Sequence, residues 1–271
     1  MSIRLSIFAG LSLLSIIYSP TLSAHFQLLY TSDLVLKKST DITLKMPFSH
    51  PATLGAMMEM PKPEAFTVLH RGQQKNLLSN VKPIQWTSGD TKATAYEAAF
   101  KIKSMGDYVF SLTPTPYFEE SETLYIQQFT KTIINNAGLP TDWNTETGAK
   151  AEIVPLNKPY AVLKGGTFSG IVKYQGEPVP FANIEIEYLN YTPITQSNRF
   201  ADKTAGQVPE PFAVHTLIAD ANGTFVFGIP IAGTWGFAAI DLDETARYNG
   251  KRLSIDAVIW IQAHDVPLRG K

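Results

Sequence analysis

The chain has 271 residues, a formal net charge of −1 and no cysteine. A nearly neutral chain carries no electrostatic footprint for nucleic acid. The lack of cysteine excludes disulfides, thiolate metal ligands and cysteine nucleophiles. Any soft metal ligand must therefore be one of six methionines, and any imidazole ligand one of five histidines. The length suffices for an apolar core without staples.

The first element, residues 1–24, reads as a cleavable secretion signal. Arg4 supplies the positive start, an apolar run follows over 5–17, and the polar stretch 18–24 ends on the small residue Ala24. Cleavage after Ala24 is expected, with a cut after Ser23 as the alternative. The run is shorter than the roughly 20 apolar residues that span a bilayer, and no second such run follows. Cleavage after Ala24 makes His25 the first residue of the mature protein. A terminal histidine offers two nitrogens to one metal, the α-amine and the ring Nδ1, which close a chelate ring. The α-amine titrates near ~8, low enough for a metal to displace its proton near neutral pH. Nitrogen donors of this kind suit nickel, copper and zinc.

Beyond His25 the periodicity is mostly two, the mark of strands. A strand at 41–46 runs into Pro47-Phe-Ser-His-Pro51, where a strand-end loop can aim the His50 ring at a site. Met57-Met-Glu-Met60 gathers three methionines within four residues. On a strand, Met58 and Met60 would share one face, with Met57 and Glu59 on the other. Thioethers are soft ligands and Glu59 a harder oxygen ligand, although methionine more often fills core gaps. A strand at 65–69 ends in His70, which reads as a solvated turn. Strands follow at 96–103, with Tyr96, Ala98, Phe100 and Ile102 on one face, at 107–112 and at 122–134. Glu119-Glu120 reads as an acidic turn.

Turn and linker residues between 136 and 164 mark a seam. Strands resume at 168–174, 183–189, 214–219, 224–229, 235–240 and 257–263. Residues 197–207 read as a long loop, and Asn222-Gly223 as a hairpin turn. His215 and His264 read as structural. The pattern predicts an all-β protein of two antiparallel β-sandwich domains, residues 25–150 and 151–271, with the candidate metal site in the first. The second half, with Gly176-Glu-Pro-Val-Pro-Phe-Ala182, Asp220-Ala-Asn-Gly223 and Ile229-Pro-Ile-Ala-Gly-Thr-Trp235, resembles the prealbumin-like, carboxypeptidase-regulatory sandwich. Serine-hydrolase, zinc-protease, phosphate-loop and dinucleotide motifs do not occur, so no enzyme activity is expected.

Several stretches together carry a wider resemblance. They include Ala24-His-Phe-Gln-Leu-Leu29, Pro47-Phe-Ser-His-Pro51, Met58-Glu-Met-Pro-Lys-Pro63, Gly106-Asp-Tyr-Val-Phe110, Pro114-Thr-Pro-Tyr-Phe118, Gly233-Thr-Trp-Gly-Phe237 and Ala257-Val-Ile-Trp260. In this order they resemble the exported accessory proteins of energy-coupling-factor type nickel uptake transporters, a group long described as a domain of unknown function. One departure is Leu28, which has no donor atom where a methionine would have one. The resemblance implies a periplasmic protein that captures Ni(II), or alternatively Co(II), and delivers it to a membrane nickel permease complex. The expected metal ligands are His25 and His50, completed by Glu59 or by Met58 and Met60. Two other classes of function compete. One is a copper histidine-brace oxidase or oxygenase using the same two histidines. The other is a structural or adhesive sandwich in which His25 is incidental.

Overall fold

The computed structural model describes residues 25–265, apart from 205, 207, 208, 210 and 211. The secretion signal lies outside the described residues. The fold is all-β, with several sheets in a sandwich-like arrangement. Among the described residues there is no α-helix, and no helix long and apolar enough to cross a membrane.

A sheet of twelve strands forms the centre. Its main path runs from Val214–Ile218 through Asn183–Tyr188, Gly233–Ile240, Lys251–His264, Leu124–Asn136, Gly106–Thr113 and Ala65–His70 to Gln73–Asn76. Most neighbours are antiparallel. At its middle, however, Leu124–Asn136 pairs in parallel with Lys251–His264, in register from Tyr125↔Leu253 to Thr132↔Trp260. Strands from both sides of residue 150 thus share one sheet. The middle is covered on both faces, and the run Ala257-Val-Ile-Trp-Ile261 is buried at every position. Such a run has no polar alternation because neither face meets water.

One face of this sheet packs through Phe237, Ile184 and Ile259 against Phe168, Val172 and Phe225 of a four-stranded sheet. The ring of Phe168 sits 4.7 Å from that of Phe237. On the opposite face Ala238, Val258 and Trp260 meet Phe26, Trp86 and Phe200. Trp86 and Phe200 belong to a five-stranded sheet that includes Thr40–Met46 and Thr91–Ile102.

Two expectations are corrected. The stretch 197–207 is not one long loop. Arg199–Thr204 is a strand that pairs with Tyr191–Ile194, because Phe200 is buried against Trp86. Asn222-Gly223 turns the chain between sheets and is no hairpin. The strand before it pairs with Asn183–Tyr188, and Thr224–Gly228 pairs with Thr167–Tyr174. Only Gly223 there takes a left-handed backbone, with φ 72°.

Candidate functional site

The first described residues are anchored. Phe26–Gln27 pairs with Phe48–Ser49, with Phe26 opposite Ser49 and Gln27 opposite Phe48. Phe26 is fully buried, and its ring meets the edge of Trp260 at 5.6 Å. The Trp260 indole donates to the Gln27 carbonyl at 2.9 Å. The Gln128 side chain completes the clamp: its carbonyl accepts from the Gln27 amide at 2.7 Å, and its amide donates to the His25 carbonyl at 2.6 Å. These bonds satisfy the backbone that the buried segment brings inside, which would otherwise be costly.

The clamp fixes the His25 ring. Its Nε2 lies 2.9 Å from a carboxylate oxygen of Glu119. The ring centroid is 4.5 Å from that of His50, tilted by 51°, and 5.9 Å from Phe48. Burial, and after it the neighbouring His50, lower the His25 imidazole to about 4 against the opposing pull of Glu119. His25 is therefore neutral at neutral pH. An ionised carboxylate only accepts, so the neutral ring carries its proton on Nε2 and leaves the Nδ1 lone pair available. Burial alone would raise the Glu119 carboxyl. Two hydrogen bonds from Ser121 and the two imidazoles outweigh burial and hold it low. His50 is seated against Gly55, where a Cβ would stand 2.5 Å from the ring carbon Cδ2. Only glycine leaves room for that ring.

The other expected ligands lie apart from this pair. The segment 57–60 is not a strand, so its alternation fails. Met57 enters the cluster of Phe26 and Trp86, Met58 packs with Phe48, Leu124 and Ile126, and Met60 joins the main core. Glu59 is exposed and accepts from the Thr94 amide at 2.8 Å. The structure thus brings together His25 and His50, with Met58 beneath Phe48, while Glu59 and Met60 are held elsewhere. Among the described residues, no three His, Asp or Glu side chains are arranged to hold a metal ion by themselves.

Sequence reading missed Glu119 and Gln128. Glu119 ends the strand Tyr117–Glu119, opposite Leu124, and is buried. A signal was present: two residues apart on a strand, Tyr117 and Glu119 share a face, and Tyr117 packs edge-on against Phe48. His70 does close a hairpin turn, opposite Gln73, but its ring is not left to solvent. Its ring stacks on Tyr108 and bonds the Asp107 carbonyl and the Ser104 hydroxyl, both at 2.8 Å.

The family described as Domain of unknown function (DUF4198) matches residues 22–242, and the chain belongs to it. No curated protein matches. Solved structures give faint likenesses. The N-terminal eight Ig domains of Down Syndrome Cell Adhesion Molecule align at 12% identity and TM-score 0.21, over 89% of this chain and 28% of that one. Escherichia coli alpha-2-macroglobulin aligns at 10% and 0.22, over 88% and 14%. The type II cohesin dyad from the ScaA scaffoldin of Acetivibrio cellulolyticus aligns at 11% and 0.24, over 88% and 98%. The chain spans less than a third of the first two structures. Likenesses of this size carry no argument about function.

Proposed function

We propose that this is an exported, periplasmic metal-capture protein that binds Ni(II), or alternatively Co(II), and passes it to a membrane nickel permease complex. The observation that carries the reading is the pose of His25. Its Nε2 is tied to Glu119 at 2.9 Å, with the His50 ring alongside at 4.5 Å. A carboxylate on one imidazole nitrogen orients the ring and strengthens the other as a donor. The nitrogen left over, Nδ1, is the one that closes a chelate with an α-amine. That amine supplies a donor that side chains alone lack, and His50 adds a further nitrogen. The metal is cargo, and a site with few ligands and open positions releases it more readily than a closed cage.

The test is a variant with one alanine added before His25, its N-terminus verified by mass spectrometry. The extra residue moves the amine away from Nδ1, and Ni(II) affinity should fall at least about tenfold in calorimetry. Unchanged affinity overturns the reading in favour of a structural sandwich. The copper-brace alternative uses the same two histidines and requires turnover. Oxidative cleavage of polysaccharide by the copper-loaded protein would favour it.

A further inference from the structure

A cleft of about 180 Å³ opens beside His25 on the same face of the central sheet. Four carboxyl groups line it: Glu122, Glu185, Asp241 and Asp256. They come from separate places in the chain. Glu185 is on Asn183–Tyr188, Asp256 on Lys251–His264, Glu122 on the turn before Leu124–Asn136, and Asp241 just after Gly233–Ile240. One guanidinium, Arg252, faces them and is already paired with Asp241.

The acceptors are unequally satisfied. Asp256 takes bonds from the Ser254 hydroxyl at 2.6 Å, the Asp241 amide at 3.0 Å and Gln128 Nε2 at 3.2 Å. Glu185 is only 8% exposed, and its carboxyl accepts no hydrogen bond from the described residues. The Glu185 carboxyl opens on the cleft, and the Asp241 oxygen Oδ1 is buried without a partner. Buried acceptors left unmet are costly. These two, in a cleft with excess negative charge, call for a visitor that is cationic and rich in donors. The carboxyls do not form a ligand cage among the described residues, but the space holds several waters. A bare ion on its inner ligands does not fit this arrangement. A cation that keeps its water shell does, since the waters donate to the carboxylates while the charge is neutralised.

We propose that this cleft is a second cation site, taking a hydrated divalent cation through its waters and holding it beside the His25 terminus. Its role as the waiting place for the ion that His25 captures rests on the reading of His25 as a metal ligand; the cleft itself does not. The link between the two is Gln128, whose amide nitrogen donates both to the His25 carbonyl and to Asp256.

Cobalt(III) hexaammine separates the two sites. It is inert to ligand exchange, so neither amine nor imidazole captures it, and its ammines mimic a shell of coordinated water. The mature protein at pH ~8, where carboxyls ionise, should bind one hexaammine in calorimetry. Glu185→Gln should weaken that binding at least about fivefold. Glu122→Gln, on an exposed turn that does not threaten folding, should weaken it in the same direction. Adding alanine before His25 should leave it unchanged. The proposal is overturned if the parent protein binds hexaammine no better than Glu185→Gln and Glu122→Gln. Hexaammine that fails to bind, with Ni(II) still lost on N-terminal extension, overturns the cleft and leaves the His25 reading standing. Hexaammine bound in the cleft, with Ni(II) unaffected by extension, supports the cleft and overturns the His25 reading.

Discussion

Gln128 gives the N-terminal segment what a neighbouring strand gives elsewhere, one acceptor and one donor spaced along the backbone. Gln128→Ala removes both and leaves the Gln27 amide buried without its partner. We expect a loss of about 1–3 kcal/mol in denaturant unfolding, with weaker Ni(II) binding because His25, the proposed chelating residue, is no longer held. Gly55→Ala tests the second ring. The added methyl collides with the His50 imidazole, so Ni(II) affinity should drop several-fold in calorimetry while the melting temperature changes little. Unchanged affinity would remove His50 from the site. His25 and His50 were legible as single residues, because a terminal histidine and a strand-end histidine are chemically conspicuous. Glu119 and Gln128 were not. Gln128 meets the His25 carbonyl across 103 positions, and no local pattern announces such a contact.

The strand Asn183–Tyr188 carries two carboxyls into the interior, and their burial sets a pH dependence. Burial, then Asp256 and Glu122, raise Glu185 to about 7. Burial likewise raises Asp256 to about 6, against bonds from Ser254, Asp241 and Gln128. Glu187 is pushed well above the ordinary carboxyl range by burial, though the Ala52 amide donates to it. A carboxyl raised on folding holds its proton more tightly in the native state. Its stabilisation is full below the unfolded value and is lost as pH rises through the folded one. The melting temperature should therefore fall between about pH 5 and pH 8, and Glu185→Gln with Glu187→Gln should flatten that slope. A slope that persists in the double variant would assign it to other groups. Glu119 and Asp142, held low by hydrogen bonds that outweigh burial, act only on the acid side. The strands were readable at this scale because alternation and turn residues are local. Arg199–Thr204 was not, because its one deeply buried apolar residue, Phe200, meets Trp86 from another sheet.

Across the whole molecule, the two halves of the chain are tied by charge as well as by pairing. Lys131, on Leu124–Asn136, is buried with Glu152 of Ala151–Pro155 at 2.5 Å and donates to the Ile153 carbonyl at 3.1 Å. Glu152 also accepts from the Thr147 hydroxyl at 3.0 Å. Lys131→Met leaves that carboxylate buried and unpaired, and should cost about 3–5 kcal/mol in denaturant unfolding. Adding Glu152→Gln should recover a large part of the loss. If the single variant is as stable as the parent, the pair does not hold the halves. The sequence shows two runs of strands with a linker-like stretch between them. It does not show that Lys251–His264 lies in parallel beside a strand from the first run, since pairing partners are a property of the assembled sheet.

The seat of His25 has a consequence for the order of assembly. Trp260, which holds the Gln27 carbonyl, stands 233 positions further along the chain. Long-range and parallel pairings are the slow steps of folding. In the proposed export, the terminus proposed to chelate the ion emerges first and finds its place only when the strand Lys251–His264 arrives. A partly translocated chain would then carry the proposed ligand but not the cradle, so the ability to sequester the metal would itself report that Trp260 has crossed.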